Sequence, residues 1–280
     1  MQTLQAAITG AIQGLSEFLP ISSSAHIVFS TKLYTLISGH ELANVANQEE
    51  IFFDIIVHLA TLFAVVIYFF KDLKEIFKNS FCAIKEKNYQ NKDLKLVGLI
   101  ALSVIITGII GLVLKSPVEG LLANPKLICI MLFITGLVLL LSEKMYKGNK
   151  EVNLKSTILI SIAQGLAVVP GFSRSGFTIA TALFCGMDRV KAARFSFLMS
   201  IPVILLASMV YPMLELDFGQ IMSFNLKAIF IGFLVSFVVG YLCIKYFMQL
   251  LGKISLRAFG YYCLVVSIGL FILFQVVYHL

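Results

Sequence analysis

Long apolar runs alternate with short charged stretches along most of this chain. Six runs approach the roughly 20 residues that a helix needs to cross a bilayer: Ile51–Phe70, Leu96–Leu114, Leu127–Ser142, Phe195–Leu214, Ala228–Ile244 and Phe259–Tyr278. Four further apolar runs are too short to cross. They come in pairs, Thr3–Leu15 with Ile27–Ile37, and Ile158–Val169 with Thr178–Cys185, and each pair is split by a polar break. Irregular backbone at membrane depth is tolerated only where protein or a watery cavity covers it. The pattern therefore predicts six spans and two re-entrant helix hairpins, one about 3–37 and one about 156–186. The fold class is an all-α polytopic membrane protein.

Charge then orients it. Loop 71–95 carries seven Lys and Arg, 143–155 four, and 187–194 and 245–257 three each. If both hairpins enter and leave on one side, these loops share a face. The opposite face keeps only Lys32, Lys115, Lys126 and Lys227, beside the acidic loops Ser38–Glu50 and Glu215–Asn225. Basic loops stay cytoplasmic, so both termini are expected outside. Lys71–Lys95 reads as a polar, lysine-rich connection with some attraction for anionic lipid, and Lys115–Lys126 as a short Pro/Gly connection. Pro202 and Pro212 read as kinks.

An internal repeat accompanies this layout. Gln13-Gly14-Leu15 matches Gln164-Gly165-Leu166, and at the same offset Ser22-Ser23-Ser24 matches Ser173-Arg174-Ser175. Each half, 1–150 and 151–280, reads as a hairpin followed by three spans within one membrane domain. Three crossings are odd, so the second half starts from the opposite face. The expectation is an inverted-topology repeat whose two hairpin tips meet near midplane, a layout in which half-helix ends converge on a buried polar site.

Composition agrees: 59% of the 280 residues are hydrophobic and 13% charged. The net charge of +7 is not a nucleic-acid signal, because the basic residues sit between apolar runs. Five scattered cysteines without a CxxC pair read as apolar packing. The first 15 residues carry no positive charge, so no cleavable signal peptide is expected.

The chemistry concentrates in the two breaks. Ser173, Arg174 and Ser175 precede a helix expected to begin near Gly176, whose free N–H groups and dipole favour an anion. Arg174 adds a planar fork suited to phosphate oxygens. The other break offers Glu17, Ser22, Ser23, Ser24 and His26. A serine near a histidine or glutamate is a nucleophile–base arrangement, and Ser23 and His26, three apart, share a helix face. The same serines suit N-caps. Glu17 fits a counter-ion of Arg174, a base or a metal ligand. Gln13, one turn earlier, can orient Glu17 or bind substrate. Thr178 can bond phosphate or its own helix. Asp54 and His58, also one turn apart, are candidates to support the site from behind.

Gln13 with Glu17-Phe18-Leu19-Pro20-Ile21-Ser22-Ser23-Ser24-Ala25-His26, and Pro170-Gly171-Phe172-Ser173-Arg174-Ser175-Gly176-Phe177-Thr178, resemble the two signature motifs of the undecaprenyl-diphosphate phosphatase (bacitracin-resistance, BacA-type) family. The resemblance implies removal of the terminal phosphate of undecaprenyl diphosphate at the outer face of a bacterial cytoplasmic membrane. That reaction recycles a lipid carrier for cell-wall synthesis. A homodimer and dependence on a divalent cation, magnesium or calcium, are implied as well. Carried over, Glu17 is the essential acid/base or metal-linked carboxylate, Ser23 the nucleophile, and His26 its activator or proton donor. Ser173, Arg174, Ser175 and Thr178 hold the diphosphate, and Ser22 and Ser24 beside Ser23 are further substrate-binding candidates. Gln13 stands where many members have glutamate. The competing reading is a transporter or flippase for a polyprenyl phosphate, since inverted repeats with broken helices also serve transport.

Overall fold

The computed structural model describes residues 2–38, 48–122, 124–146, 148–216 and 218–277. These form α1 (Thr3–Phe18), α2 (Ser23–Ser38), α3 (Gln48–Tyr68), α4 (Phe70–Lys85), α5 (Lys92–Leu122) and α6 (Pro125–Lys144). After them come α7 (Leu154–Leu166), α8 (Arg174–Phe184), α9 (Arg189–Glu215), α10 (Leu226–Leu251) and α11 (Arg257–Val277), with a 3-10 turn at Phe218–Ser223 before α10. No strand occurs among the described residues. Six helices are long and apolar enough to cross a membrane: α3, α5, α6, α9, α10 and α11. They are the six runs expected. Residues 39–47 of the acidic loop, and Tyr278 at the expected end of the last span, lie outside the described residues.

Helix ends obey local chemistry. Asn124 accepts from the Lys126 N–H, with Pro125 in the first turn of α6. Asp188 caps α9 and Asn225 caps α10 in the same way, and Asn153 with Ser156 forms a capping box on α7. Such caps satisfy backbone donors that a helix start leaves open. They also move two boundaries. α9 begins at Arg189, not Phe195, because Asp188 is the first cap in that stretch. α5 continues to Leu122, so the connection expected over Lys115–Lys126 shrinks to the residues before the Asn124–Pro125 start. The larger correction is Lys71–Lys95, which is mostly α4 and the first turn of α5. Its apolar residues recur at helical spacing between the lysines, and its mean charge hides that period.

α1 packs along α10, α7 along α5, α6 along α11, and α3 along α10 and α9. Small residues permit the closest approach. A Cβ on Gly14 would lie 2.6 Å from the Ser236 carbonyl oxygen, and Gly10 meets the Gly232 carbonyl one turn earlier. In lipid, where apolar side chains have no water to escape, such small-residue seams let backbones gain contact. α6 and α11 meet similarly at Gly136 and Gly260.

The four hairpin helices are short. At 1.5 Å per residue the 16 residues of α1 reach about 24 Å and the 11 of α8 about 17 Å, below the roughly 30 Å of a hydrocarbon core. Each hairpin turns through a left-handed residue, Ser22 at φ 69° and Gly171 at φ 97°. At Gly171 the requirement for glycine is double, because a Cβ there would also lie 2.5 Å from the Ile128 carbonyl oxygen.

Candidate active site

The two hairpin turns, some 150 residues apart in sequence, lie against each other. Ser175 Oγ donates to the Leu19 carbonyl at 3.0 Å, and the Gly171 N–H donates to Ser24 Oγ at 3.4 Å. Cys263 of α11 donates its S–H to the Pro20 carbonyl. Arg174, first residue of α8, forms an ion pair through Nη2 with Glu17 Oε1 near the end of α1. Both side chains are largely withdrawn from solvent, at 17% and 6% exposed.

Glu17 is the centre of the arrangement. Its second oxygen accepts from Ser23 Oγ at 2.9 Å and from Gln13 Nε2 at 3.0 Å. His58 Nε2 stands 3.9 Å from the same oxygen. His58 Nδ1 contacts the Asp54 carbonyl at 2.8 Å. A carbonyl only accepts, so Nδ1 donates there and Nε2 is the ring nitrogen that faces Glu17. Asp54 is half exposed, with its carboxylate 3.6 Å from His58. Two polar atoms here are buried without a partner among the described residues, Arg174 Nη1 and Gln13 Oε1. Such orphans cost about 1–3 kcal/mol each unless something else bonds them.

A cavity of about 200 Å³ opens over this cluster, lined by Glu17, Ser23, Ser24, His58, Ser173 and Arg174 on its polar side and by Val168, Phe172 and Ile204 on its apolar side. Sites for drug-sized molecules run to 300–1,000 Å³, so this one suits a small polar head, not a lipid. Ser16, Phe172 and Ile204 line it without having been singled out from sequence. Ser16 stood beside Glu17 and was open to inspection. The other two look like ordinary core residues until the fold turns them inward.

Several expectations are corrected by where the side chains point. Helix α8 starts at Arg174, not Gly176, because Ser173 is its N-cap and accepts from the Gly176 N–H at 3.1 Å. Ser175 does not line the cavity; its hydroxyl joins the two hairpins. Thr178 is fully buried, donating back to the Arg174 carbonyl at 2.7 Å and meeting Ser196 Oγ at 2.6 Å. Ser22 turns its hydroxyl to Ser24 and to the Ala25 N–H, so it caps α2. The pairing of Ser23 with His26, drawn from their spacing, is replaced by Ser23 with Glu17. His26 Nδ1 contacts the Ser22 carbonyl at 2.8 Å, and Nε2 lies 2.8 Å from the Tyr262 hydroxyl, with the rings stacked 10° from parallel. Both nitrogens are therefore committed away from Ser23. No sequence signal announces Tyr262, which lies 236 residues from its partner.

The donors do not fit a magnesium or calcium ion held by the chain alone. Such ions want six or more oxygens. Here one carboxylate has both oxygens engaged, and no cluster of three His, Cys, Asp or Glu side chains able to hold a metal occurs among the described residues.

Comparison with known proteins places the chain. The family model described as bacitracin resistance protein BacA matches residues 6–269. The undecaprenyl-diphosphatase of Treponema denticola is 38% identical over 282 residues, covering 98% of each chain. That of Methanobrevibacter smithii is 37% identical over 283 residues and 97% of each, and that of Halothermothrix orenii 37% identical over 278 residues and 98% of each. A family match that spans nearly the whole chain, and includes both hairpin turns, leaves one conclusion: the chain belongs to the BacA family of bacitracin resistance proteins.

Proposed function

We propose that this protein hydrolyses undecaprenyl diphosphate to undecaprenyl phosphate and inorganic phosphate. The observation that carries the reading is the Arg174–Glu17–Ser23 cluster beneath a cavity of head-group size, with Arg174 Nη1 left as a buried donor. The near-full-length relatives named as undecaprenyl-diphosphatases support the substrate. Nothing comparable supports the transport reading, and a transporter has no need of a serine bonded to a carboxylate.

Phosphoryl transfer asks chiefly for positioning and charge stabilisation. Arg174 can keep Nη2 on Glu17 while Nη1 meets a phosphate oxygen. Glu17 Oε2, already accepting from Ser23 Oγ, takes that proton as Oγ attacks the terminal phosphorus. The Oγ–P bond forms and the bridging O–P bond breaks, releasing undecaprenyl phosphate. Glu17 hands that proton on to His58 Nε2. Water then attacks the phosphoserine and gives a proton to Glu17, the Oγ–P bond breaks, Ser23 Oγ takes the proton back from Glu17, and inorganic phosphate leaves. His58 Nε2, beside the same carboxylate, is the nearest group to accept a proton from Glu17. His26, held by Tyr262, positions the start of α2.

Trapping phosphate on Ser23 during turnover tests this step. Near-normal turnover by Ser23→Ala would instead leave water as the attacking group, with Glu17 as its base.

The remaining features belong to the same proposal. Magnesium or calcium would be carried in on the diphosphate oxygens; EDTA should then abolish turnover without lowering the melting temperature of the free protein. Exchanging α1 with α7, α2 with α8, α3 with α9, α5 with α10 and α6 with α11 turns the α1–α10 packing into that of α7 on α5. The same exchange leaves α3–α9 and α6–α11 unchanged, which supports an inverted repeat. The lysine distribution supports a site opening on the outer face of a cytoplasmic membrane. A homodimer is expected from the family resemblance alone.

A further inference from the structure

Helix α4 carries a surface that the proposed reaction does not use. Going once round it, the side chains fall into four contiguous sectors. Ala83, Ile76, Ser80 and Leu73 face the protein, all but the partly buried Leu73 being fully withdrawn. Next come Ile84, Phe77, Phe70 and Phe81, each more than half exposed. Beside these stand Lys74, Lys85, Lys78 and Lys71. Cys82, Glu75, Glu86 just past the last turn, Asn79 and Asp72 complete the circle. Asp72, on the edge nearest the core, accepts from Arg194 Nε at 2.8 Å, which ties α4 to α9.

This order is not that of a helix in water, where three exposed phenylalanines would form an adhesive patch. It is not that of a span either, because α4 joins the membrane-crossing α3 to α5 through short turns and so must lie at the boundary. An interfacial helix sinks its apolar face to the acyl boundary and keeps its charges at the headgroups. Here the lysines sit on only one flank of the aromatic stripe. Their stems can run along the bilayer surface while the ammonium groups reach headgroup phosphates. Among the described residues none of the four forms an ion pair; Lys85 lies over the Phe81 ring, 4.5 Å from its centroid. The acids are turned away from the stripe, toward the water side.

We propose that the Phe70–Lys85 helix is a binding site for anionic phospholipid in the leaflet that holds the basic loops. The occupant is set by charge complementarity: each lysine near an anionic surface strengthens binding on the order of fivefold, and zwitterionic lipid offers no such gain. This inference is independent of the reaction assigned to the cavity.

The chain contains no tryptophan, so Phe77→Trp in the full-length protein provides a single emitter. The variant is reconstituted into vesicles in which bromine is carried either by phosphatidylglycerol or, at the same mole fraction, by phosphatidylcholine. Blue-shifted emission is expected, with quenching several-fold stronger from the brominated phosphatidylglycerol. That preference should fade with added salt. It should vanish when Lys74→Gln and Lys78→Gln are introduced together, while quenching by phosphatidylcholine persists and phosphate release confirms folding. Water-like, unquenched emission would take α4 off the bilayer and overturn the proposal. Equal quenching by the two lipids would overturn its anionic selectivity. Quenching that disappears as protein concentration rises would assign the stripe to a second copy of the chain, also against the proposal.

Discussion

Arg174 and Glu17 each have two tasks, and the tasks separate by mutation. As the donor nearest the developing phosphate charge, Arg174 should contribute about 2.7–4 kcal/mol to the transition state, so Arg174→Ala should lower kcat/KM about 100- to 1,000-fold. The same change strands a buried carboxylate, which costs about 3–5 kcal/mol of stability. Adding Glu17→Gln removes the stranded charge. The double variant should regain most of its melting temperature in detergent and none of its activity. Recovery of both together would mean the pair is only structural. Thr178 supplies the contrast. Its hydroxyl bonds the Arg174 carbonyl and Ser196, so Thr178→Val should cost about 1–3 kcal/mol of stability. It should change KM for the diphosphate little, because that hydroxyl does not line the cavity.

At the scale of elements, short helices are held by seams and turns that tolerate little change. α1 sits against α10 with Gly14 facing the Ser236 carbonyl and Gly10 facing that of Gly232. Gly14→Leu should wedge the two helices apart, and loss of detergent-stable folded protein measured by size exclusion would show it. Gly171→Ala is the sharper case. The left-handed backbone alone costs about 1–2 kcal/mol for an L-residue, and the new methyl would press on the Ile128 carbonyl. Because the Gly171 N–H also bonds Ser24, the second turn should shift relative to the first. Activity should fall more than thermal stability does, and the reverse order would argue that this turn does not set the site. The hairpins and spans were readable because period and length are local properties. α4 was hidden by its high lysine content, although its aromatic spacing was already helical.

For the whole molecule, orientation is the testable property. Cys82 on α4 is the one exposed cysteine of the five, with Cys129, Cys243 and Cys263 buried and Cys185 half-buried at the end of α8. With the lysine-rich loops inside, a membrane-impermeant maleimide should label Cys82 only after cells are permeabilised. Labelling in intact cells would invert the topology and move the cavity mouth to the cytoplasm. Cys82→Ser identifies the reactive position without touching the proposed site.

The amino-acid order alone determined the helical, membrane-embedded character of this chain, its six spans, its two interrupted helices and the residue types gathered at the interruptions. Hydrophobic length and turn chemistry act between neighbours, so they can be read without the fold. Only the tertiary structure decided which atoms meet: Ser23 with Glu17 rather than His26, His26 with Tyr262, Ser175 with the Leu19 carbonyl, and Arg174 with Glu17. Those partners are set by how α1, α2, α8 and α11 stack around one another. A single hydroxyl has several acceptors within reach, and the packing of distant helices selects among them.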